Sequence, residues 1–208
     1  MYNNTKHWNI FYQKNNLKKK TSFAQFVIKN TFSKNSIIDI GCGTGRDAFY
    51  YSNFFKKVYA LDKSKVVISL NKKKNKFFKN KVFFFQKNIA SKNLIYKKKF
   101  ENICARFFLH TLTEEEEKIF FLNIKKIVKK NNLIFFEFRT IKDNLMKKGK
   151  KLSKYERVYG HYRRFINTVD LKKKLKNYNF KILYESQSKN FSIFRNQKPH
   201  LARFILKA

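Results

Sequence analysis

Three of the chain's five glycines fall within five residues, in the run Gly41-Cys42-Gly43-Thr44-Gly45. Glycine this scarce marks places where the backbone must turn tightly or let another group approach closely. The stretch before the run, Ser36-Ile37-Ile38-Asp39-Ile40, predicts a short buried strand, and Arg46 to Phe54 after it predicts a helix. Strand, glycine turn and helix form the first unit of a nucleotide-binding α/β fold.

The spacing narrows the ligand. The run is Gly-x-Gly-x-Gly, not the Gly-x-Gly-x-x-Gly of dinucleotide enzymes, and it lacks the Lys-Ser/Thr ending of a P-loop. Asp39, at the mouth of the turn, would repel a pyrophosphate arriving at the helix N-terminus. The same acid suits a phosphate-free ligand with a cationic amino group, and S-adenosylmethionine is one. A second acid, Asp62, ends the apolar run Val58-Tyr59-Ala60-Leu61 and lies 17 positions beyond Gly45. That is close to the roughly 20-residue spacing of an acid that grips a ribose diol. The bland alternative is a tight turn before a helix, with two surface acids.

At these residues the chain resembles the class I S-adenosylmethionine-dependent methyltransferases. Asp39-Ile40-Gly41-Cys42-Gly43-Thr44-Gly45 matches their first motif nearly letter for letter, and Asp62 matches their second-strand acid. The resemblance implies an α/β fold: a Rossmann-like sheet of seven strands ordered 3-2-1-4-5-7-6, the last antiparallel, with helices on both faces. It also implies cofactor contacts from Asp39 (the ammonium), Gly41, Cys42, Gly43, Gly45 and Asp62 (the ribose). Asn88 would stand where many relatives carry an acid for the adenine, and Arg106 to His110 would border the cofactor's other side. Trp8, Tyr12 and Ser22-Phe23-Ala24 resemble the N-terminal cap of methyltransferases found with surface-polysaccharide genes, as does His161-Tyr162-Arg163-Arg164-Phe165. A sugar or phosphorylated acceptor would follow.

At 208 residues the chain suits one domain, 1–208, with a helical cap over 1–31 and a substrate-side insertion over 139–167. Apolar content of 43% and aromatic content of 18% argue against disorder. Two cysteines, one inside the glycine turn, point to a reducing compartment without a disulfide framework. The N-terminus, Met1 to Lys6, lacks an apolar signal core, and no apolar run could span a membrane. These features predict a soluble, cytoplasmic protein.

The balance of 49 basic and 13 acidic residues, net +36, invites a nucleic-acid reading. Only eight of the basic residues are arginine; the lysines keep company with abundant Asn, Phe and Ile, all of which share A/T-rich codons. Codon bias therefore accounts for the lysines without a dedicated partner, although non-specific, salt-sensitive binding to nucleic acid should follow from the charge. Where lysine is the default cation, an arginine suggests a planar fork or a stacked contact. Arg106 and Arg139 each end an apolar run, and Arg157, Arg163 and Arg164 cluster downstream.

The remaining periodicity predicts helices over 21–31, 46–55, 64–71, 113–130 and 168–178. Strands are predicted over 36–40, 57–61, 81–86, 101–106, 132–138, 180–187 and 201–207, with a long connection over 139–167. Thr113 and Glu116 have capping-box spacing; Glu114 to Glu117 complement the helix start, and Lys125, Lys126, Lys129 and Lys130 its end. The tetra-glutamate run is thus helix-start electrostatics and not a metal site. Thr168 is expected to cap the last helix.

Ligands of open α/β sheets lie beyond the C-terminal strand ends, which gathers the glycine turn, Asp62, Asn88, Arg106 to His110 and Glu137 to Arg139. Methyl transfer is an in-line displacement governed mainly by positioning. An oxygen acceptor also needs a proton acceptor, for which His110, His161 and Glu137 have suitable chemistry, His110 being equally suited to a core role. Arg139, Tyr162, Arg163 and Arg164 are candidates to hold the acceptor, since paired arginines suit a carboxylate or phosphate. The favoured reading is a methyltransferase acting on a small anionic metabolite. A ribose 2′-O RNA methyltransferase and a non-catalytic S-adenosylmethionine-binding module are the alternatives. Pro199 is the lone proline, so the Asn/Asp-Pro-Pro-aromatic motif of amino-methylating nucleic-acid enzymes is absent, and neither Cys42 nor Cys104 follows a proline as a cytosine-C5 nucleophile would.

Overall fold

A computed structural model describes residues 4–15, 17, 19–79, 81–94, 96, 98–193 and 197–208. Met1 to Asn3, Asn16 and Lys18 of the expected cap lie outside the described residues. The chain opens with two helices, α1 (Thr5–Lys14) and α2 (Ser22–Asn30). Strands and helices then alternate: β1 (Ser36–Ile40), α3 (Arg46–Tyr51), β2 (Lys57–Asp62), α4 (Lys65–Asn75), β3 (Val82–Gln86), β4 (Phe100–Arg106), α5 (Glu114–Ile127) and β5 (Val128–Arg139). Three short strands follow, β6 (Lys150–Lys151), β7 (Glu156–Tyr159) and β8 (His161–Arg164), then α6 (Thr168–Asn177), β9 (Lys181–Ser188) and β10 (Leu201–Lys207).

The main sheet has the order β3-β2-β1-β4-β5-β10-β9. β10 is antiparallel to both β5 and β9, whereas β1 to β5 pair in parallel. Counted along this sheet alone, β9 and β10 are the sixth and seventh strands, so the order is the expected 3-2-1-4-5-7-6.

Strand alternation divides the core between the two faces. Ile38 and Ile40 pack with Phe120, Phe121 and Ile124 of α5 and Leu171 and Leu175 of α6. Ile37 packs with Phe23 and Val27 of α2, Phe49 of α3 and Val67 of α4. The registers Asp39↔Cys104 and Cys104↔Phe135 carry the Asp39 row across the sheet, and by alternation it shares the face of Ile37.

Several boundaries differ from the sequence expectation. α3 ends at Tyr51 and continues only as turns, whereas α4 runs on to Asn75. α5 does begin with the Thr113–Glu116 capping box, yet it stops at Ile127. Lys129 and Lys130 therefore belong to β5, where Lys129 pairs with Glu101 at 3.0 Å and does not complement a helix end. The cap of α6 is Asn167, whose side chain accepts from Val169 N, and Thr168 is already helical. The long connection is not irregular: β6, β7 and β8 form a small antiparallel sheet of their own.

That small sheet is fastened to the main body by a buried ionic cluster. Arg164 Nη2 donates to Glu117 Oε2, Arg164 Nε donates to the Leu112 carbonyl at 3.0 Å, and Lys174 Nζ reaches Glu117 Oε1 at 2.9 Å. Glu117 is only 2% exposed, so an unpaired charge there is costly. Arg164→Ala should destabilise the protein by about 2 kcal/mol or more, and Arg163→Ala, on the other face of β8, by less than about 1 kcal/mol. Denaturant unfolding checks this, and equal losses would mean that the two arginines share one environment.

Candidate functional site

The C-terminal ends of β1, β2, β4 and β5 open into a cavity of about 680 Å³, closed from above by α1 and from the side by the small sheet. The glycine turn forms its floor. Gly41 N and Cys42 N both donate to the Leu61 carbonyl, at 2.8 and 3.1 Å, which folds the turn back onto the end of β2. Gly41 has φ +68°, and a Cβ there would meet Phe108 at 2.6 Å; Gly43 has φ +51°, and its Cβ would meet the Tyr12 hydroxyl at 2.8 Å. Positive φ and close approach together demand glycine at both positions. Gly45 lies beneath the turn against Asn71 and caps α3, so it shapes the floor without lining it.

Two carboxylates flank the turn. Asp62 Oδ2 accepts from Gly43 N at 3.1 Å and Oδ1 from Ser64 N at 2.9 Å. Burial raises its pKa against the pull of these bonds. Asp39, 5% exposed, accepts from the Cys104 thiol at 3.7 Å. Burial, followed by the neighbouring Asp47 charge, pushes the Asp39 carboxyl well above the ordinary carboxylate range. The Cys104 hydrogen bond and the positive charge of Arg106 oppose that shift. Asp47 itself is engaged with α2, accepting from Thr21 N at 2.9 Å and Thr21 Oγ1 at 2.7 Å. Cys42 also lines the floor, and Asn88, beyond β3, borders the cavity with its Oδ1 accepting from Ala90 N at 3.1 Å.

Arginines dominate the opposite end. Arg139 and Arg163 line it with His110 and His161, and Arg106 lies between this end and Asp39. Arg139 is paired to Asp143 at 2.7 Å. Arg163 Nη1 donates to the Tyr159 carbonyl at 2.6 Å, and burial, then the nearby Arg139, lowers its pKa to about 10. His110 Nδ1 accepts from Arg139 N at 3.2 Å, and His161 Nδ1 lies 3.3 Å from Arg163 Nη2. Both partners can only donate, so each ring carries its proton on Nε2. Burial and the surrounding cations hold both rings neutral, His110 well below its ordinary pKa and His161 at about 2.

Besides Gly45, three further sequence candidates do not line the cavity. Glu137 is fully buried behind the wall, with Oε1 bound to Arg106 Nε at 2.8 Å and Oε2 to Arg203 Nε at 2.7 Å. Both oxygens are engaged by guanidinium groups, which removes it as a proton acceptor. Tyr162 and Arg164 point away from the cavity, toward Glu156 and Glu117. Neighbours along a strand face opposite sides, so the adjacent arginines of β8 cannot act as one clamp.

Other lining residues carried weaker sequence signals. Trp8 and Tyr12 were recognisable through resemblance, but His7 and Phe11 complete their stripe on α1. The His7 and Trp8 rings pack on His161 with centroids 4.2 and 4.9 Å away. The 7, 8, 11, 12 spacing is itself a helical signal. Phe107, in a left-handed conformation at φ +52°, lies under Arg106 with the guanidinium 4.1 Å from its ring centre. Among the described residues there is no His/Cys/Asp/Glu group able to hold a metal ion, and no helix is long and apolar enough to cross a membrane.

The family profile described as a methyltransferase domain matches residues 12–185. No curated protein sequence matches. Among solved structures, an S-adenosylmethionine-dependent methyltransferase from Clostridium acetobutylicum superposes with a TM-score of 0.73 at 16% identity, over 89% of this chain and 90% of that one. The PH0226 protein of Pyrococcus horikoshii gives 0.74 at 15% identity, over 89% and 87%. A glycopeptide N-methyltransferase, MtfA, complexed with S-adenosyl-L-methionine gives 0.69 at 12% identity, over 90% and 86%.

The electrostatics of Asp39 can be tested without any ligand. Its folded-state pKa is raised, so the protonated carboxyl favours folding at low pH and that contribution is lost as pH rises through the folded value. Asp39→Asn removes the charge at nearly constant shape. The ligand-free variant should melt higher than the native protein, by about 2–4 °C for each kcal/mol relieved, and the gap should widen with pH. Thermal scans from mildly acidic to mildly alkaline buffer read it; a variant that melts lower throughout contradicts the assignment.

Proposed function

The chain belongs to the methyltransferase domain family, and from that premise we propose that it transfers a methyl group from S-adenosylmethionine to a small anionic acceptor held at the arginine end of the cavity. The observation that carries this reading is the cavity's electrical polarity: Asp39 and Asp62 at the glycine turn, Arg139 and Arg163 at the far end. The donor fits the first half. Asp39 is a buried carboxylate pushed toward its neutral form by burial and by Asp47, a setting that a bound cation relieves. Asp62 keeps acceptor capacity beyond its two backbone bonds and suits a ribose diol.

When bound, the donor supplies a methyl group on a cationic sulfur, open to displacement by an acceptor lone pair. The protein's own contribution is placement. Gly41, Cys42 and Gly43 form the floor under the donor, Asn88 borders it, and Arg106 stands between the two halves. Arg163 is the acceptor's principal anchor, because its guanidinium is part-buried and its hydrogen bonds run to the Tyr159 and His161 carbonyls and the His161 ring nitrogen, with no carboxylate among the described residues. Arg139 adds a second cation whose charge Asp143 partly balances. His110 and His161, each with its proton on Nε2, serve as donors that orient the acceptor, not as bases.

In this reading residues 1–31 cap the cavity and 139–167 form its acceptor wall. Aromatic closure by α1 favours a small acceptor over a duplex or a long strand, and the lysine-rich exterior accounts for non-specific nucleic-acid binding. Two free, buried cysteines accord with a cytoplasmic setting.

Isothermal titration tests the donor. Binding a cation beside Asp39 should expel its proton, so the affinity for S-adenosylmethionine should rise with pH and the observed heat should vary with buffer ionisation enthalpy. Binding without proton exchange would sink the Asp39 role. For the acceptor, a methyl-label screen over sugar phosphates, phospho-amino alcohols, carboxylic acids and RNA should favour the small anions. With the acceptor so found, Arg163→Ala should raise its KM by roughly tenfold or more while leaving donor affinity within about twofold. Preferential labelling of RNA would reverse the ranking.

A further inference from the structure

Arg106, Glu137 and Arg203 form one row across three adjacent strands. Arg106 of β4 is in register with Glu137 of β5, which stands opposite Arg203 of β10. The carboxylate divides its two oxygens between the two guanidinium groups, at 2.8 and 2.7 Å, with no access to water. Each arginine then reaches outward. Arg106 Nη2 donates to Ser192 Oγ at 2.9 Å, and Arg203 Nη2 to Ser22 Oγ at 2.9 Å and the Phe191 carbonyl at 3.3 Å.

On the other side of Arg106 lies Asp39. Cys104, the strand partner of Asp39, is two residues before Arg106, so Asp39, Cys104 and Arg106 share one face of the sheet. Asp39, a buried carboxylate bonded to a thiol, is an alternative acid for a guanidinium in that position. Arg106 is already close enough for its charge to favour ionised Asp39.

We propose that Glu137 is a positioning residue that holds Arg106 away from Asp39, leaving Asp39 free to receive the cationic amino group of the methyl donor. The proposal rests on the reading of Asp39 as the ammonium site. Without the Glu137 charge, Arg106 turns to Asp39 and competes with the ligand for it. Arg203 cannot substitute, because it lies on the far side of Glu137 with its own bonds to Ser22 and Phe191.

The test compares two ligands that differ at the group in question. S-Adenosylmethionine carries the ammonium, and 5′-methylthioadenosine lacks the whole amino-acid part. Quenching of Trp8, the chain's one tryptophan, which lines the cavity, reports binding of either. Glu137→Gln should weaken S-adenosylmethionine by roughly tenfold and 5′-methylthioadenosine by less than about twofold. Glu137→Asp, which keeps the charge, should restore the preference to within about threefold of native. In an Asp39→Asn background, Glu137→Gln should cost S-adenosylmethionine affinity little more, since the competition has lost its object. Equal losses for the two ligands, a Glu137→Asp variant as impaired as Glu137→Gln, or additive losses in the double variant would each overturn the proposal. If Glu137→Gln fails to fold, Glu137→Asp and its pairing with Asp39→Asn decide alone. Native protein that binds 5′-methylthioadenosine as tightly as S-adenosylmethionine would instead refute the Asp39 site itself.

Discussion

The turn from β1 into α3 depends on a single acceptor, the Leu61 carbonyl, which takes both Gly41 N and Cys42 N. That pair of bonds closes the glycine run against the end of β2. Asp62, the next residue, then takes Gly43 N through its side chain. The result joins two sequence motifs separated by a helix into one floor. It also explains why glycine is required: the close approaches of Phe108 and Tyr12 leave no space for a side chain at Gly41 and Gly43. Tyr12 comes from α1, so the same constraint seats the N-terminal helix over the cavity.

Much of the fold is legible in the sequence because the main sheet obeys local rules. Its parallel strands are short apolar runs and its principal helix carries a complete capping box. The small sheet was not legible. Its strands are two to four residues long and their alternation is polar on both faces, so in the sequence β7 and β8 merge into one long connection. The consequence reaches the site. Arg163 and Arg164 are adjacent and look like a clamp, but a strand sends them to opposite sides, one toward the cavity and one toward Glu117. Glu137 departs from its expected role for a related reason. An acid at a C-terminal strand end fits a catalytic position, and its burial between Arg106 and Arg203 depends on β10, which arrives some sixty residues later in the chain.

The contrast between arginine and lysine was a better guide than charge alone. Lysines cover the exterior of this +36 chain. Arginines appear where a carbonyl or carboxylate must be met with fixed geometry: Arg157 on the Met146 and Ser153 carbonyls, Arg164 on Glu117 and Leu112, Arg203 on Glu137. The planar fork suits these tasks because its donors are held in fixed directions, whereas an ammonium presents a hydrated point charge. Among the described residues, Arg46, Arg106, Arg139 and Arg163 line the cavity.

A strongly basic protein whose ligand is itself a cation faces a particular problem, since the general field of the chain opposes binding. Screening reduces the contribution of exposed lysines beyond about 8–10 Å, so the charges that decide the matter are local and buried. At the glycine turn they are acidic, and Asp39 and Asp62 are kept there against their own desolvation. Two cations act on Asp39, Arg46 at the start of α3 and Arg106, and Arg106 is tethered on its far side to Glu137. Some thirteen acids therefore suffice in the whole chain, because those that matter are withdrawn from solvent, where each interaction is stronger than at the surface. The same withdrawal has a cost: burial raises the pKa of both carboxylates. On the proposed reading of Asp39 as the ammonium site, stability lost to its burial would be recovered when the donor binds, tying affinity for the donor to the burial that weakens the fold without it.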